Sequence, residues 1–182
     1  MEAPRPLFRA SRSLFLIGLM GSGKTTTGKQ LAGLLGWPFT DLDGFIEERQ
    51  GCGIPDLFEK IGEPGFRKLE REALQNVLRL DAPRVVACGG GTPCYYDNLT
   101  QMKDAGWVIY LETPVPILVE RLQSSTRERP LLVGEDVKAV LETLFEQRSA
   151  FYLQAHVVYH QHSNQMQVAS DLYRQLVLIG GH

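Results

Sequence analysis

The chain has 182 residues, of which 43% are hydrophobic, enough to build the core of one domain but cramped for two. Nineteen basic and 21 acidic residues give a formal net charge of −2. This near-neutral balance argues against binding to nucleic acid or to an anionic membrane, and no apolar run has the length of a membrane span. We therefore expect a monomer with small-molecule partners.

Strands and helices are predicted to alternate after a loose tail over residues 1–12. The strands are expected at residues 14–17, 38–42, 85–88, 107–111 and 157–159. The helices are expected at residues 25–35, 45–50, 64–80, 114–122 and 137–154, with a closing helix that ends at 179. This βα order predicts an α/β fold with three α/β/α layers and a five-stranded parallel sheet, whose ligands bind at the carboxyl ends of the strands. We expect one domain, at residues 13–182.

The three cysteines predict the compartment. Cys52, Cys88 and Cys94 are odd in number and have no C-x-x-C spacing. Such usage favours free thiols in a reducing, cytoplasmic location over a secreted disulfide framework. The apolar residues 14–20 lack the small-residue cleavage site of a signal peptide, so we interpret them as the first strand and the start of a loop.

Residues 18–25, Gly-Leu-Met-Gly-Ser-Gly-Lys-Thr, match the phosphate-binding pattern G-x-x-x-x-G-K-[ST]. They lie between a predicted buried strand and a predicted helix, where such a loop must lie. Gly21 and Gly23 would let backbone N–H groups converge on phosphate oxygens, and the helix dipole adds to the attraction. The chain is therefore predicted to bind a nucleoside triphosphate.

Side chains of the same loop would complete the nucleotide site. Lys24 would reach the β- and γ-phosphates as a catalytic cation, and Thr25 would hold Mg²⁺ through its hydroxyl group. Ser22 and Thr26 are expected to contribute further contacts to the nucleotide.

Asp41 and Asp43 are predicted to close the second strand. A period of two would put both carboxylates on one side of the extended chain, at the edge of the sheet where ligands gather. One could help to hold hydrated Mg²⁺ while the other faces an acceptor hydroxyl group. The alternative is that Asp43 only caps the next helix.

Two arginines lie on or beside predicted apolar helix faces. Arg67 has Glu70 one turn away, so a surface ion pair is one interpretation. Arg148 follows Leu141 and Leu144 along an apolar stripe, where a buried charge needs a partner. That partner is either an anionic substrate or an internal carboxylate.

Two further segments are candidates for ligand contact. Gly89, Gly90 and Gly91 follow the third strand and allow either close approach to a ligand or a sharp turn, of which the position favours the first. Residues 123–134 are polar and carry Arg129, which is typical of a mobile lid that brings positive charge onto a transferring phosphoryl group.

The whole set resembles the shikimate kinase family, within the nucleoside monophosphate kinase-like branch of P-loop proteins. The resemblance extends over about residues 13–160. Beyond the phosphate loop it depends on an ordered series of motifs, namely Asp41-x-Asp43, Ile54-Pro55-Asp56-Leu57-Phe58, Gly62-Glu63-x-x-Phe66-Arg67-x-x-Glu70, the glycine triplet, Arg129-Pro130-Leu131-Leu132 and Arg148-x-x-x-Tyr152.

The resemblance implies ATP-dependent phosphorylation of the 3-hydroxyl group of shikimate. It implies that the substrate is held by Asp43, Arg67, Gly90 and Arg148, the two arginines gripping its carboxylate. It also implies that Asp41 serves the Mg²⁺ shell, that Arg129 is a lid arginine and that Arg121 lies by the adenine. The segment after Tyr159 matches no family pattern.

Three alternatives fit the sequence less well. A gluconate kinase would share the phosphate loop but has no reason to keep the aspartates, arginines and glycine triplet together. A regulatory GTPase would explain the D-x-x-G pattern at residues 41–44, but that pattern follows Lys24 too soon and no [NT]-K-x-D motif occurs. A metal site at His156, His160 and His162 is disfavoured, because these residues straddle a short strand.

Overall fold

The computed structural model describes residues 12–124, 134, 136–163 and 167–179. Five strands form one parallel sheet: β1 (Ser13–Ile17), β2 (Phe39–Asp41), β3 (Val85–Ala87), β4 (Gly106–Glu112) and β5 (Val157–His160). The helices in these ranges are α1 (Lys24–Leu35), α2 (Leu42–Gln50), α3 (Ile54–Leu78), α4 (Asn98–Ala105), α5 (Val115–Gln123), α6 (Val137–Tyr152) and α7 (Val168–Ile179).

The strand order β2-β3-β1-β4-β5 places β1 at the centre of the sheet. β1 pairs with β3 on one side and with β4 on the other, both in parallel. The segment after β1 therefore forms β2 and β3 on one side of β1, and the following segment forms β4 and β5 on the other side. The carboxyl end of β1 is the point where the strand order reverses, which is where parallel α/β sheets bind ligands.

Alternating residues of β1 enter two separate cores. Leu14 and Leu16 pack with residues of α1 and α7 on one face of the sheet, whereas Phe15 and Ile17 pack with residues of α2 to α6 on the other face. All four side chains are almost completely buried, as expected for a central parallel strand. The three α/β/α layers and the five-stranded parallel sheet predicted from the sequence are confirmed.

The structure differs from the prediction mainly around α3 and α4. α3 begins at Ile54, ten residues before the predicted start, and contains a kink at Gly62, where φ is 64°. Pro64 therefore lies in the first turn after the kink, where its missing N–H group is tolerated. α4 was not predicted, because this eight-residue helix buries only Asn98, Leu99 and Met102 and gives a weak apolar pattern.

None of the helices in the described ranges is both long and apolar enough to cross a bilayer. Most of the predicted lid at residues 123–134, including Arg129, lies outside the described residues. The predicted tail also lies outside the described residues, except for Arg12.

Candidate active site

The phosphate loop follows β1 and wraps around the ammonium group of Lys24. This group donates hydrogen bonds to the carbonyl oxygens of Gly18 at 2.9 Å and Leu19 at 2.8 Å. Gly21 and Gly23 adopt the left-handed conformation, with φ of 82° and 87°, which side chains disfavour. α1 begins directly after Gly23 without a side-chain cap, an arrangement suited to binding an anion at the helix N-terminus.

Thr25 and Asp41 are hydrogen-bonded to each other beside this loop. The Thr25 hydroxyl group donates to Oδ2 of Asp41 at 2.7 Å, and Oδ1 of Asp41 accepts from the Gly44 N–H group at 3.3 Å. Asp41 is therefore both the end of β2 and the N-cap of α2. The structure brings Thr25 and Asp41 together, and their role as Mg²⁺ ligands stays a prediction.

Asp43 occupies a different position from the predicted one. β2 ends at Asp41, so Asp43 lies in the first turn of α2 rather than on the strand. The prediction that a strand repeat aligns the two carboxylates is wrong, and so is the alternative that Asp43 is the cap, because Asp41 has that role. Asp43 instead faces the carboxyl end of β3, where a methyl group on Gly89 would lie 3.0 Å from its Oδ1.

Arg67 is a buried cation that pairs with two carboxylates. Its Nε and Nη2 donate to Oε1 of Glu63 at 3.2 and 2.7 Å, and its Nη1 donates to Oε2 of Glu70 at 2.9 Å. Glu70 also accepts from the Thr92 hydroxyl group at 2.6 Å. Burial alone would lower the pKa of Arg67, but the charge of Glu70 and the hydrogen bonds of both glutamates raise the pKa above its ordinary value. The predicted pair with Glu70 exists, yet it lies inside the protein.

Arg148 is equally buried but has a different environment. Only 5% of the residue is exposed, and no carboxylate among the described residues forms an ion pair with it. The hydroxyl group of Tyr152, one turn later on α6, donates to the carbonyl oxygen of Gly90 at 2.6 Å. Within the described ranges, the internal-carboxylate explanation for Arg148 is therefore wrong.

Each glycine of the triplet faces a different charged side chain. A methyl group on Gly89 would lie 2.5 Å from Oε1 of Glu70, one on Gly90 would lie 3.2 Å from Nη1 of Arg148, and one on Gly91 would lie 2.5 Å from Nη1 of Arg67. The same methyl group on Gly90 would lie 3.5 Å from the Gly18 carbonyl oxygen. The triplet thus lets two arginines and a glutamate approach the backbone next to the phosphate loop.

Gln161 is a site residue that the sequence analysis missed. It is 3% exposed, and its Nε2 donates to the Ser22 carbonyl oxygen at 2.8 Å. Its Oε1 accepts from Nη1 and Nη2 of Arg121 at 3.3 and 3.2 Å, while Arg121 Nη1 also donates to the Gly21 carbonyl oxygen at 3.1 Å. Arg121 on α5 and Gln161 at the end of β5 therefore support the phosphate loop together. Only the position of Gln161 directly after an apolar strand could have indicated it.

The histidines show no metal-binding arrangement. His156 accepts a hydrogen bond from the Val108 N–H group at 3.0 Å, and burial lowers its pKa. His160 pairs with Glu112, and its ring stacks with that of His162. In the described part of the chain, no three His, Cys, Asp or Glu residues are placed to hold a metal ion. Cys52, Cys88 and Cys94 are free thiols, as predicted.

A phosphate loop at the reversal point of a parallel sheet, next to two buried arginines, is typical of a P-loop kinase that acts on a small anion. A family model described as shikimate kinase matches residues 20–177. The chain belongs to the shikimate kinase family, which confirms the resemblance seen in the sequence.

Individual relatives agree with this assignment. The shikimate kinase of Synechococcus sp. (strain CC9902) is 42% identical over 146 residues, which cover 80% of this chain and 75% of that protein. A solved structure of shikimate kinase from Acinetobacter baumannii in complex with shikimate has a TM-score of 0.85 and 37% identity, and the match covers 97% of this chain and 96% of that one. A solved structure of a gluconokinase from Sinorhizobium meliloti has a TM-score of 0.62 and 16% identity, and the match covers 94% of this chain and 95% of that one. At this identity the likeness shows a shared fold alone.

Proposed function

We propose that this enzyme transfers the γ-phosphoryl group of ATP to the 3-hydroxyl group of shikimate, a step in chorismate and aromatic amino-acid biosynthesis. The observation that carries this proposal is Arg148, a buried guanidinium without a carboxylate partner among the described residues. It lies against Gly90, which in turn adjoins the phosphate loop at Gly18. A carboxylate-bearing acceptor would neutralise this charge and place its hydroxyl group near the transferred phosphoryl group.

The phosphate loop would bind ATP through the backbone of Gly21, Ser22 and Gly23 and through Thr26 in the first turn of α1. Lys24 would exchange its bonds to the Gly18 and Leu19 carbonyl groups for bonds to the β- and γ-phosphates. Arg121 would lie by the adenine, held by Gln161.

Thr25 and Asp41 fit Mg²⁺. Their hydroxyl and carboxylate oxygens are hard donors 2.7 Å apart beside the phosphate loop, and Mg²⁺ characteristically takes one or two such protein ligands. Bound Mg²⁺ would supply positive charge to the β- and γ-phosphate oxygens.

The acceptor would be held by side chains of three helices around the glycine triplet, Gly89, Gly90 and Gly91. Arg67 on α3 and Arg148 on α6 would bind the carboxylate, and Asp43 on α2 would orient the reacting hydroxyl group and accept its proton. Arg129 would add positive charge to the transferring phosphoryl group from the lid. Phosphoryl transfer needs mainly alignment and charge neutralisation, which these residues provide.

A coupled ADP-release assay tests the proposal. The purified chain is incubated with Mg²⁺, with ATP or GTP, and with a panel of hydroxy acids that includes shikimate and gluconate. We expect stimulation by shikimate with ATP and little with gluconate or GTP. ADP release that shikimate does not stimulate above background hydrolysis would overturn the acceptor assignment.

We further propose a monomeric enzyme in the cytoplasm. The free state of all three cysteines supports a reducing compartment. Size-exclusion chromatography with light scattering tests the monomer, for which a mass near 20.4 kDa is expected.

A further inference from the structure

Glu63 occupies the edge of Arg67 that a substrate carboxylate would use. One oxygen, Oε1, accepts from Nε and Nη2 of Arg67 at 3.2 and 2.7 Å and from the hydroxyl group of Tyr95 at 3.0 Å. Glu70 accepts from Nη1 of the same guanidinium group. All three nitrogen atoms of Arg67 therefore donate to a carboxylate, and Glu63 takes both N–H groups of the Nε–Nη2 edge. Another carboxylate can bind bidentately at that edge only if Glu63 leaves it.

The charges around Arg67 favour the same exchange. Two carboxylates, Glu63 and Glu70, already pair with this one guanidinium group. A substrate carboxylate shared by Arg67 and Arg148 would be a third anion beside two cations, with Asp43 nearby as a further anion. Like charges repel strongly where water is excluded, so the departure of one glutamate from Arg67 favours substrate binding.

Only Glu63 can leave at low cost. Its side chain is 41% exposed, whereas the side chain of Glu70 is 1% exposed and also accepts a hydrogen bond from Thr92. A carboxylate at the surface exchanges its ion pair for water, but a buried one would lose its partner without compensation. Glu63 also directly follows the kink at Gly62, so it lies at the start of the second segment of α3.

We propose that Glu63 is an internal competitor of the substrate at Arg67, an inference that rests on the proposed function. Glu63 neutralises the guanidinium group and must vacate its Nε–Nη2 edge before the carboxylate of shikimate can take that edge. Glu63 therefore lowers the affinity for anionic acceptors and is a specificity-determining residue. It differs in this from Glu70, which stays in place and orients Arg67.

The test compares Glu63→Gln with the unaltered enzyme in calorimetric titrations of shikimate and of its uncharged methyl ester. Gln keeps the shape but loses the charge, so we expect shikimate to bind about three- to fivefold more tightly. Affinity for the methyl ester should stay within about 1.5-fold, because the ester exchanges no charge with Glu63. Values of kcat should change by less than about twofold, because Glu63 does not contact the reacting atoms.

Glu59→Gln is the matched control. It makes the same charge change on the same helix at an exposed position, and it should leave both affinities unchanged. Tyr95→Phe removes one hydrogen bond to Glu63 and keeps the aromatic ring over Arg67, so it should tighten shikimate binding less, by about 1.5- to twofold. If Glu63→Gln does not fold, the titrations of Tyr95→Phe test the inference instead.

Three outcomes would overturn the inference: unchanged shikimate affinity in Glu63→Gln, weaker shikimate binding, or equal tightening of the acid and the ester. Turnover of shikimate by the unaltered enzyme is measured first. Its absence would contradict the proposed function, whereas normal turnover without the charge-selective tightening would contradict the role of Glu63 alone.

Discussion

The nucleotide half and the acceptor half of the site hold their charged side chains in different ways. In the nucleotide half, Lys24 bonds to backbone carbonyl groups of its own loop, within six residues along the chain. In the acceptor half, Arg67 is held by side chains of its own helix, and Arg148 comes from a distant helix and meets the triplet at Gly90. One half is a local motif, and the other exists only after the domain has folded.

The two halves also differ in how far the charge of each cation is neutralised. The carbonyl groups of Gly18 and Leu19 that bind Lys24 are neutral, so these two bonds do not cancel its attraction for phosphate. In the acceptor half, Arg67 is neutralised by two glutamates while Arg148 is not. We therefore expect the two arginines, although equally buried, to differ in their contributions to stability and to binding.

The largest effect is expected for Arg129→Ala, which tests whether the two halves need the lid to act together. A lost transition-state arginine should lower kcat by about 10³-fold with little change in the affinity for either substrate. Single-turnover rates and equilibrium titrations measure both quantities. A variant with nearly full turnover would remove Arg129 from the chemistry.

The two aspartates should respond differently to Mg²⁺. Asp43→Asn cannot accept a proton, so its kcat should fall by about 10²-fold or more, and added Mg²⁺ should not restore it. Asp41→Asn weakens a metal ligand, and higher Mg²⁺ concentrations should partly restore its rate. Turnover is measured against Mg²⁺ concentration at saturating shikimate and ATP. Rescue of Asp43→Asn instead of Asp41→Asn would reverse the two roles.

Alanine substitution of each arginine, Arg148→Ala and Arg67→Ala, tests its contribution to shikimate binding separately from its contribution to the stability of the fold. Both should weaken shikimate binding by about tenfold or more through loss of a charge-assisted bond, with far less effect on ATP. Only Arg67→Ala should also destabilise the fold, by about 3–5 kcal/mol, because it leaves buried Glu70 without its partner. Calorimetric titration and thermal unfolding measure the two effects. Equal losses of stability would show that the glutamates around Arg67 do not distinguish the two arginines.

The smallest effect is expected for Gln161→Leu, which acts on the nucleotide half alone. The Ser22 carbonyl group and Arg121 each lose a partner, so KM for ATP should rise about three- to tenfold while KM for shikimate stays constant. Gln154→Leu, at an exposed position, is the control and should change neither constant. A parallel rise in both KM values would show that Gln161 supports the whole domain instead.

The phosphate loop of the nucleotide half was predictable because its residues are contiguous and their spacing follows from the geometry of a phosphate cradle, whereas Gln161 in the same half was missed because it lies 139 residues from Ser22. The βα order likewise predicted the sheet. In the acceptor half, periodicity indicated that Arg148 is buried, but it did not reveal that Glu63 shares Arg67 with Glu70. That contact has the i,i+4 spacing of a helix, and it was missed because the predicted helix began at residue 64, just after Glu63. Asp43 was misplaced for a similar reason, because the boundary between β2 and α2 is set by the Asp41 cap.

The glycine triplet limits how this pocket can evolve or be redesigned. Substitution of Gly89, Gly90 or Gly91 by even the smallest side chain would press on a different charged neighbour in each case. A larger side chain at any of the three positions therefore displaces one of the charged side chains that surround the triplet. Side chains on the surrounding helices can vary without this displacement, so a change of acceptor is more readily made there.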